Sequence, residues 1–490
     1  MPRKPKRGNG VTVLLTVLIL LMIAATALVI WMCVDLTNHS GPAPTAPISS
    51  APITLPPETQ PTQTETQPPE TTLPEPERVV ATATIASQGD LLMHKPVFDT
   101  CLQSDGSYNF ESIFRYVKEY VSSYDYAMAN LETTFGGNQF KYQGNPEFNC
   151  PDALVDSVVE AGYDMLLTAN NHAADTTAVG ITRTVEKVRE AGLTALGTQL
   201  SDEEPKYAVV DVNGIRIGMV CYTYGYSASN GSFSLNGLAP IKDVGQVNYF
   251  MNNNLDKLYS QVQQQMDAMK AEGAEATMMF IHWGTEYQLT ENSTQKQIAQ
   301  KLCDMGFDVI VGGHPHVVEP VDLLESTVDP SHKTVVIYSM GNAVSNQRTG
   351  ISNLFPAGYT EDGVLFSVTF EKYSDGKVYV AGTDVMPTWV NMSSVNGKKE
   401  YNILPLDDSR RDEWQSLFNL TDALYGSAEK SYDRTMGIVG EGLTECKTWL
   451  EQAKADREAY YLDLALHPEK HPAEPAPTEA FSAETTAEAA

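Results

Sequence analysis

Cysteine is scarce in this chain of 490 residues: there are only six, and no two of them have the short C-x-x-C spacing. A cysteine-rich zinc module or a dense disulfide framework needs such paired spacing, so the sequence supports neither. One disulfide, between Cys101 and Cys150, remains compatible with the pattern.

Basic residues are also few. The chain has 33 lysines and arginines against 62 aspartates and glutamates, which gives a net charge of −29. Proteins that wrap nucleic acid need a basic surface, and no basic patch stands out in this sequence, so we expect no nucleic-acid partner. An anionic ligand would have to be held by a local cation. The hydrophobic content of 42% is that of an ordinary globular chain.

One uncharged apolar run, residues 11–34, is long enough to cross a membrane. As a helix it would extend about 36 Å at a rise of about 1.5 Å per residue. Basic residues precede it, so the positive-inside rule predicts a cytoplasmic segment, residues 1–10, and an extracellular main domain. A cleaved signal peptide is the alternative, but its apolar region is usually shorter and closes on small residues, whereas this run closes on Ile30-Trp31-Met32-Cys33. We therefore expect a single-pass protein of the cell membrane with an uncleaved signal anchor.

The composition changes again on both sides of the folded region. Residues 35–78 are rich in proline and threonine, which favours extended chain, so we expect a stalk. Residues 466–490 are rich in alanine, glutamate, proline and threonine and are expected to be disordered. Between these segments we expect a main domain over residues 79–395 and a helical appendage over residues 396–465.

The region between stalk and tail alternates strand-like and helix-like patterns, with no internal repeat. Asn213-Gly214 lies between two alternating apolar runs and is a strong hairpin signal. Strands that alternate with helices, with hairpins inserted, predict a layered α/β fold. From about Leu404 the pattern becomes helical, over residues 411–424 and 440–462.

Polar residues cluster where five of the predicted strands end. The clusters are Gly89-Asp90 with His94, Asn130-Leu131-Glu132, Asn170-Asn171-His172 with Asp175, His282-Trp283-Gly284 with Glu286, and Gly312-Gly313-His314-Pro315-His316. The carboxyl ends of strands converge on one crevice in an α/β sheet, so clusters that are distant in sequence can meet there. Histidine beside aspartate, glutamate and asparagine is the composition of a nitrogen and oxygen metal site.

Each cluster taken alone has a plainer interpretation. Gly89-Asp90 and the asparagines could simply form turns, and His282 could be a core histidine. The segment from Gly312 to His316 is the most specific. Two histidines two positions apart can face one metal site, and the preceding glycines permit close approach of the backbone.

Together these motifs resemble the CapA-type capsule (poly-γ-glutamate) biosynthesis proteins, whose domain is related to the calcineurin-like metallophosphatases. The residues that carry the resemblance are Gly89-Asp90, Asn130-Leu131-Glu132-Thr133, Asn170 to Asp175, His282 to Tyr287, Gly313 to Val317 and Tyr338-Ser339-Met340-Gly341-Asn342. They occur in the family's order between about residues 79 and 390. The resemblance implies a layered α/β/β/α metallophosphatase-like sandwich with divalent metal ions, two in number.

The resemblance also implies a role for each residue. The first metal would be bound by Asp90 and His316, the second by Asn171, His282 and His314, and Glu132 would bridge the two. His172 would be the general acid and Asp175 would orient it. Residues expected just behind the ligands are His94, Asn130, Glu286 and Asn342. The sequence departs from the phosphatase pattern at Leu92, where a histidine is usual, and at Glu132, where an aspartate is usual.

Two functions are compatible with these features. The first is a metal-dependent hydrolase that acts outside the membrane on a phosphoester or a γ-glutamyl amide in capsule synthesis or export. The alternative is a non-hydrolytic subunit that holds the anionic polymer. The expected partners are the membrane, other capsule synthesis or export subunits, and the polymer or phosphoester itself.

Overall fold

The structure is a computed structural model that describes residues 75–227, 233–237, 245–395 and 397–471. These residues all belong to one compact unit. The predicted cytoplasmic segment, the signal anchor, the stalk up to residue 74 and the tail from residue 472 lie outside the described residues. Among the helices that are described, none is long and apolar enough to span a bilayer.

The secondary structure of the described chain is mixed. The helices are α1 (Lys95–Thr100), α2 (Glu111–Phe114), α3 (Lys118–Val121), α4 (Ala153–Glu160), α5 (Thr177–Glu190), α6 (Leu255–Ala271), α7 (Ser293–Asp304), α8 (Trp414–Leu417) and α9 (Asp422–Leu466). The strands are β1 (Val79–Leu91), β2 (Tyr126–Asn130), β3 (Met165–Leu167), β4 (Thr194–Leu196), β5 (Ala208–Val212), β6 (Ile215–Tyr224), β7 (Tyr226–Ser227), β8 (Phe233–Ser234), β9 (Tyr249–Phe250), β10 (Ala276–His282), β11 (Val309–Gly313), β12 (Val321–Glu325), β13 (Lys333–Ile337), β14 (Asn342–Val344), β15 (Asp362–Tyr373), β16 (Val378–Val395) and β17 (Lys398–Pro405).

The strands form two large sheets. The first has eight strands in the order β17-β16-β15-β1-β2-β3-β4, with β14 paired to β1. The second has seven, in the order β12-β13-β11-β10-β6-β5, with β9 paired to β6. Each sheet has a parallel part: β1 to the edge strand β4 in the first sheet, and β6, β10, β11 and β13 in the second. This confirms the predicted α/β class.

The two sheets pack face to face, and helices cover their outer faces. Successive side chains of a strand point to opposite faces, and β6 follows this rule. Its residues Met219 and Cys221 belong to the core between the sheets, whereas Val220 and Tyr222 contact helices α6 and α7. The outer face of the first sheet packs in the same way against α1 to α5. The layers therefore follow the order helices, sheet, sheet, helices.

Helix α9 closes one side of this sandwich. Its residues Val439, Leu443 and Leu450 belong to the core between the sheets. Arg434 of α9 donates hydrogen bonds of 2.6 and 2.7 Å to the buried carboxylate of Asp362, at the start of β15. The C-terminal helix is therefore part of the main core, and among the described residues it contributes none of the clustered histidines or carboxylates described below.

The helical appendage predicted for residues 396–465 needs two corrections. Its first part is strand β17, which pairs antiparallel with β16. The helix expected at 411–424 is instead a 3₁₀ helix (Asp408–Glu413), the short α8 and a loop, whereas the one expected at 440–462 is part of the much longer α9. Gly426 and Gly437 lie between the two predicted segments, lower the helix propensity there and obscure the pattern. Gly442 is required by close packing, since a Cβ there would lie 1.8 Å from the carbonyl oxygen of Val321.

All five cysteines in the described part of the chain are buried free thiols. The disulfide that the sequence allowed between Cys101 and Cys150 is therefore not formed. Both side chains lie in the apolar core on the outer face of the first sheet. They contribute to packing there.

Candidate metal centre

The carboxyl ends of parallel strands from both sheets meet at one rim. Asp90 lies near the end of β1, and Glu132 follows β2. In the second sheet, His282 ends β10 and His314 follows β11. The ring centroids of His282 and His314 lie 4.9 Å apart. The fold therefore brings together clusters that are up to 226 residues apart in sequence, as the strand-end argument predicts.

The His314-Pro315-His316 segment has an unusual backbone. His314 and His316 have φ values of 98° and 56°, in the left-handed region that residues with a side chain rarely adopt. Such strain is maintained only where the surroundings determine the conformation, and it is concentrated at functional sites. The preceding Gly312 packs so closely that a Cβ there would lie 1.9 Å from the carbonyl oxygen of Tyr338. Only glycine can be accommodated at this position, which brings the backbone before His314 close to that of Tyr338.

Glu132 lies between two histidines. Its Oε1 is 3.4 Å from Nε2 of His282, and its Oε2 is 3.8 Å from Nδ1 of His316. Nδ1 of His316 also lies 3.1 Å from Oδ2 of Asp90. On the other side, Nε2 of His282 lies 2.9 Å from Oδ1 of Asn171. The side chains thus form two adjacent groups of donor atoms that share Glu132.

The donor atoms of these groups are close enough to bind single ions. Asp90, Glu132 and His316 form one group and Glu132, His282 and His314 the other, with the atoms of each group within 4.8 Å of one another. Both oxygens of Glu132 and Nδ1 of His314 are buried and have no hydrogen-bond partner among the described residues. Buried polar atoms are nearly always paired, and unpaired carboxylate and imidazole donors are what a divalent cation requires. The residues present therefore fit a divalent metal centre.

The electrostatics of the centre follow from its burial. Burial and the negative charge of Asp90 raise the pKa of Glu132 well above its usual value. Burial lowers the pKa of His282 to about 3 and that of His314 well below the usual range. Burial also tends to raise the pKa of Asp90, but the hydrogen bond and the charge of His316 outweigh it and lower that pKa. Neutral imidazole is the form that binds a metal, and a bound cation would in turn favour ionised carboxylates.

Two asparagine side chains hold the carboxylate of Asp90 in place. Asn130 donates a hydrogen bond of 2.8 Å from Nδ2 to Oδ1 of Asp90. Asn170 donates from its own Nδ2 to Oδ1 of Asn130, at 3.2 Å, and to the carbonyl oxygen of Leu131, at 2.8 Å. This chain of amides leaves Oδ2 of Asp90 facing His316. The sequence motifs predict Asn130 behind the ligands and indicate no role for Asn170.

His172 lies beside these donors with one ring nitrogen engaged. Its Nδ1 is 2.7 Å from Oδ2 of Asp175. The same oxygen accepts a hydrogen bond of 2.5 Å from the N–H of Phe148, and Oδ1 of Asp175 accepts one of 2.5 Å from Nδ2 of Asn236. The ring of Phe148 packs edge to face on the imidazole, with centroids 4.6 Å apart. Nε2 is therefore the atom that His172 can present to a ligand.

The other three residues expected behind the ligands are His94, Glu286 and Asn342, and they differ in burial and in their contacts with the donor groups. Nδ1 of His94 lies 3.3 Å from the carbonyl oxygen of Leu92, and His94 belongs to neither donor group. Glu286 is exposed, and its carboxylate forms a third, outer group with His314 and His316. Asn342 is fully buried, with Oδ1 3.2 Å from Nδ1 of His316.

Two aromatic residues lie beside the histidines: Tyr224, which the sequence motifs do not include, and Tyr287, which ends the motif that begins at His282. The ring of Tyr224 lies 4.6 Å from that of His314, and the ring of Tyr287 lies 6.2 Å from that of His316. Tyr224 ends β6, the neighbour of β10 in the sheet. Its position at the end of a strand is the sequence feature that could have indicated it as a site residue. Asn236 gave no such signal, because it lies outside the regular pattern of strands and helices.

Fold and site together define a layered α/β protein with a buried carboxylate and histidine centre at the carboxyl ends of its parallel strands. The chain belongs to the family of the bacterial capsule synthesis protein PGA_cap, whose model matches residues 84–347. The match contains every residue of both donor groups. It confirms the family resemblance of the sequence motifs.

Two curated relatives are similar over much of the chain. The capsule biosynthesis protein CapA of Bacillus anthracis is 28% identical over 269 residues, which are 54% of this chain and 60% of that protein. The PGA biosynthesis protein CapA of Bacillus subtilis (strain 168) is 27% identical over 303 residues, 61% of this chain and 70% of that protein. The chain thus spans less than two thirds of the length of the Bacillus anthracis relative.

Solved structures show more distant likeness. NAD nucleotidase (NadN) of Haemophilus influenzae aligns with a TM-score of 0.38 and 12% identity, over 76% of this chain and 68% of that one. The sulfate thiohydrolase SoxB of Thermus thermophilus aligns with a TM-score of 0.34 and 14% identity, over 69% and 59%.

Proposed function

We propose that this protein is a metal-dependent hydrolase of capsule polymer synthesis or export, with a metallophosphatase-like centre. The observation that carries the proposal is the environment of Glu132. Its carboxylate is fully buried between His282 and His316, and neither oxygen has a hydrogen-bond partner in the described part of the chain. A carboxylate in such a position is stable when it binds cations on both sides.

The chain supplies ligands for two divalent ions. Asp90 and His316 would hold the first ion, and Asn171, His282 and His314 the second, with Glu132 shared between them. Bound there, the two ions would supply positive charge that activates water and neutralises a developing oxyanion. Asn130 keeps Asp90 in the orientation that this binding needs.

His172 acts on the leaving group. Asp175 accepts the Nδ1 proton of His172, so the ring is fixed in orientation and Nε2 points away from the carboxylate. The N–H of Phe148 and the amide of Asn236 hold Asp175 in turn. A protonated His172 can give its Nε2 proton to the departing oxygen or nitrogen, which is general acid catalysis.

The substrate class follows from the family and from charge. The relatives' names refer to capsule and PGA biosynthesis, which favours an anionic polymer, its γ-glutamyl amide bonds or a phosphoester as substrate. The net charge of −29 repels such a polymer from the surface as a whole. The cations of the centre are then the local positive charge that holds it.

Metal analysis and enzyme assays on the purified protein test this function. We expect two divalent ions per chain and hydrolysis of either a phosphodiester or poly-γ-glutamate, lost on chelation and restored by the metal. A chain that binds no divalent ion would contradict the proposal. A chain that binds two ions and hydrolyses neither substrate would favour the alternative of a polymer-binding subunit in a synthesis or export complex.

We also propose that residues 11–34 anchor the protein in the cell membrane with residues 1–10 in the cytoplasm and the main domain outside. The support is the basic N-terminal side of the apolar run. Protease added to intact protoplasts should then degrade the main domain while a cytoplasmic marker survives. Resistance of the domain until the membrane is permeabilised would contradict this orientation.

A further inference from the structure

We infer that the side-chain oxygen of Asn342 is a ligand of the first divalent ion. The two donor groups are unequal without it. Around the second position lie Glu132, His282, His314 and, next to His282, Asn171. Among the described residues, the buried carboxylate and imidazole donors around the first are Asp90, Glu132 and His316, while Glu286 is exposed and groups with His314 and His316 on the outer side. Divalent ions take at least four ligands, so a protein atom or a solvent molecule must complete the first position.

Asn342 lies beside the first metal position. It begins β14, which pairs in parallel with β1, and its Cα is in register with that of Asp90. Its side chain is fully buried. The two side chains therefore project from neighbouring strands into the same part of the rim, and Asn342 is held by the sheet itself.

The hydrogen bonds of Asn342 fix which way its amide points. Nδ2 donates to the carbonyl oxygens of His316 and Thr360, at 3.2 and 3.0 Å, and to Oε1 of Gln347, at 3.1 Å. Backbone carbonyls cannot donate hydrogen bonds, so the reversed amide would place its oxygen against two acceptors. Oδ1 must therefore point the other way, toward Nδ1 of His316.

That nitrogen is surrounded by oxygens. Nδ1 of His316 lies 3.2 Å from Oδ1 of Asn342, 3.1 Å from Oδ2 of Asp90 and 3.8 Å from Oε2 of Glu132. A neutral imidazole has at most one proton to offer there, which cannot satisfy three oxygens. Atoms that bind one ion at about 2.0–2.2 Å lie about 3.0–3.6 Å from each other. The separations to Asn342 and Asp90 lie in that range and the one to Glu132 is slightly longer, which is compatible with a cation bound by this nitrogen and the surrounding oxygens.

The inference rests on the metal binding of the proposed function, and Mn²⁺ binding to the intact protein tests both. The wild-type chain should bind two Mn²⁺ ions by equilibrium dialysis and calorimetry. Asn342→Leu should weaken one of the two by at least about 10-fold, since changes around a metal typically cost about 10–100-fold in affinity. In a His314→Ala background, where the first position holds the remaining ion, the same change should remove most of the bound Mn²⁺.

The matched control is Asn391→Leu. Asn391 is also a buried asparagine of the first sheet, paired with Asn402 instead of with the centre. It should keep two ions at wild-type affinity. Two ions at wild-type affinity in Asn342→Leu would overturn the inference and leave the proposed function intact, whereas no Mn²⁺ binding by the wild-type chain would overturn both.

If the leucine variant does not fold, Asn342→Asp tests whether the side chain at position 342 contacts the ion. It keeps one oxygen at the same place and adds a negative charge, and the affinity of oxygen sites for divalent ions rises with ligand charge. Its second oxygen replaces Nδ2 and loses the hydrogen bonds to His316, Thr360 and Gln347, so the variant should be less stable without metal. One of the two Mn²⁺ ions should then bind at least about 10-fold more tightly. Unchanged affinity at both positions would show that the side chain at 342 does not contact the ion.

Discussion

Glu132→Gln should abolish the binding of both divalent ions. Glutamine has nearly the same shape as glutamate, but it lacks the charge and presents an amide hydrogen to one side of the site. Because the carboxylate belongs to both donor groups, we expect affinity to fall by more than about 100-fold at each position, beyond the about 10–100-fold cost of changes outside the ligand shell. Equilibrium dialysis and metal analysis measure this directly.

The same variant has a second signature in its stability. In the metal-free chain, Glu132 is a buried acid next to Asp90, and burial and this neighbour raise its pKa. The neutral amide removes that cost, so the melting temperature without metal should stay the same or rise. The increase in melting temperature on addition of metal, which follows from binding to the folded state, should disappear.

Glu319→Gln is the matched control. Glu319 is equally buried and lies three residues after His316, with Oε2 accepting a hydrogen bond of 2.6 Å from Gln295. Burial raises its pKa to about 8. It belongs to no donor group among the described residues, so its loss should leave both ions bound. Two ions at wild-type affinity in Glu132→Gln would contradict a shared carboxylate.

The parts of the site that the sequence predicts are those set by local order. His314 and His316 follow an apolar strand and are separated by one proline, so their proximity is independent of the rest of the fold. Asp90 and Glu132 also follow strands, and the convergence of parallel strand ends brings them to the same rim. Strand ends are visible in the sequence, and so these residues could be proposed as ligands before their distances were known.

The orientation of Asn342 could not be predicted in this way. It depends on Gln347 and Thr360, which lie between β14 and β15, the first in a loop and the second in a single 3₁₀ turn (Tyr359–Glu361). From its motif alone, Asn342 is therefore expected only behind the ligands. Asn236 was missed for the same reason, since its contact with Asp175 joins residues 61 positions apart. Side-chain amides are determined by their full set of partners, and those partners come from the tertiary structure.

Strand β17 was missed for a different physical reason. A strand is recognised in sequence when one face is buried and the other exposed, which gives an alternating pattern. The last five residues of β17 are all buried. Tyr401 and Ile403 pack toward α1 and α2, and Leu404 packs against Trp389 and Trp414. With both faces covered, the alternation is absent and the segment resembles the helical region that follows it.

His172→Ala should leave both ions bound and reduce turnover by about 10²–10⁴-fold, the usual contribution of a general acid. The first part follows from geometry, since His172 belongs to no donor group in the described chain. The second follows from its pairing with Asp175, which leaves Nε2 to deliver a proton. Metal content, kcat and melting temperature on the same preparation check both parts.

The loss should also depend on the leaving group. Nitrophenolate is a stable anion and leaves a phosphodiester with little protonation, whereas an alkoxide leaving group must be protonated as it departs. His172→Ala should therefore impair hydrolysis of the alkyl phosphodiester much more than that of the nitrophenyl phosphodiester. Asp175→Asn should show the same dependence. The Asp175 carboxylate accepts from His172, from the N–H of Phe148 and from Asn236. The amide nitrogen of asparagine cannot accept a hydrogen bond, so at least one of these contacts is lost and the imidazole is no longer held in place. His332→Ala, at a histidine that contacts the carbonyl oxygen of Phe307, should change neither substrate. Equal losses on both substrates in His172→Ala would mean that the imidazole positions the substrate and donates no proton.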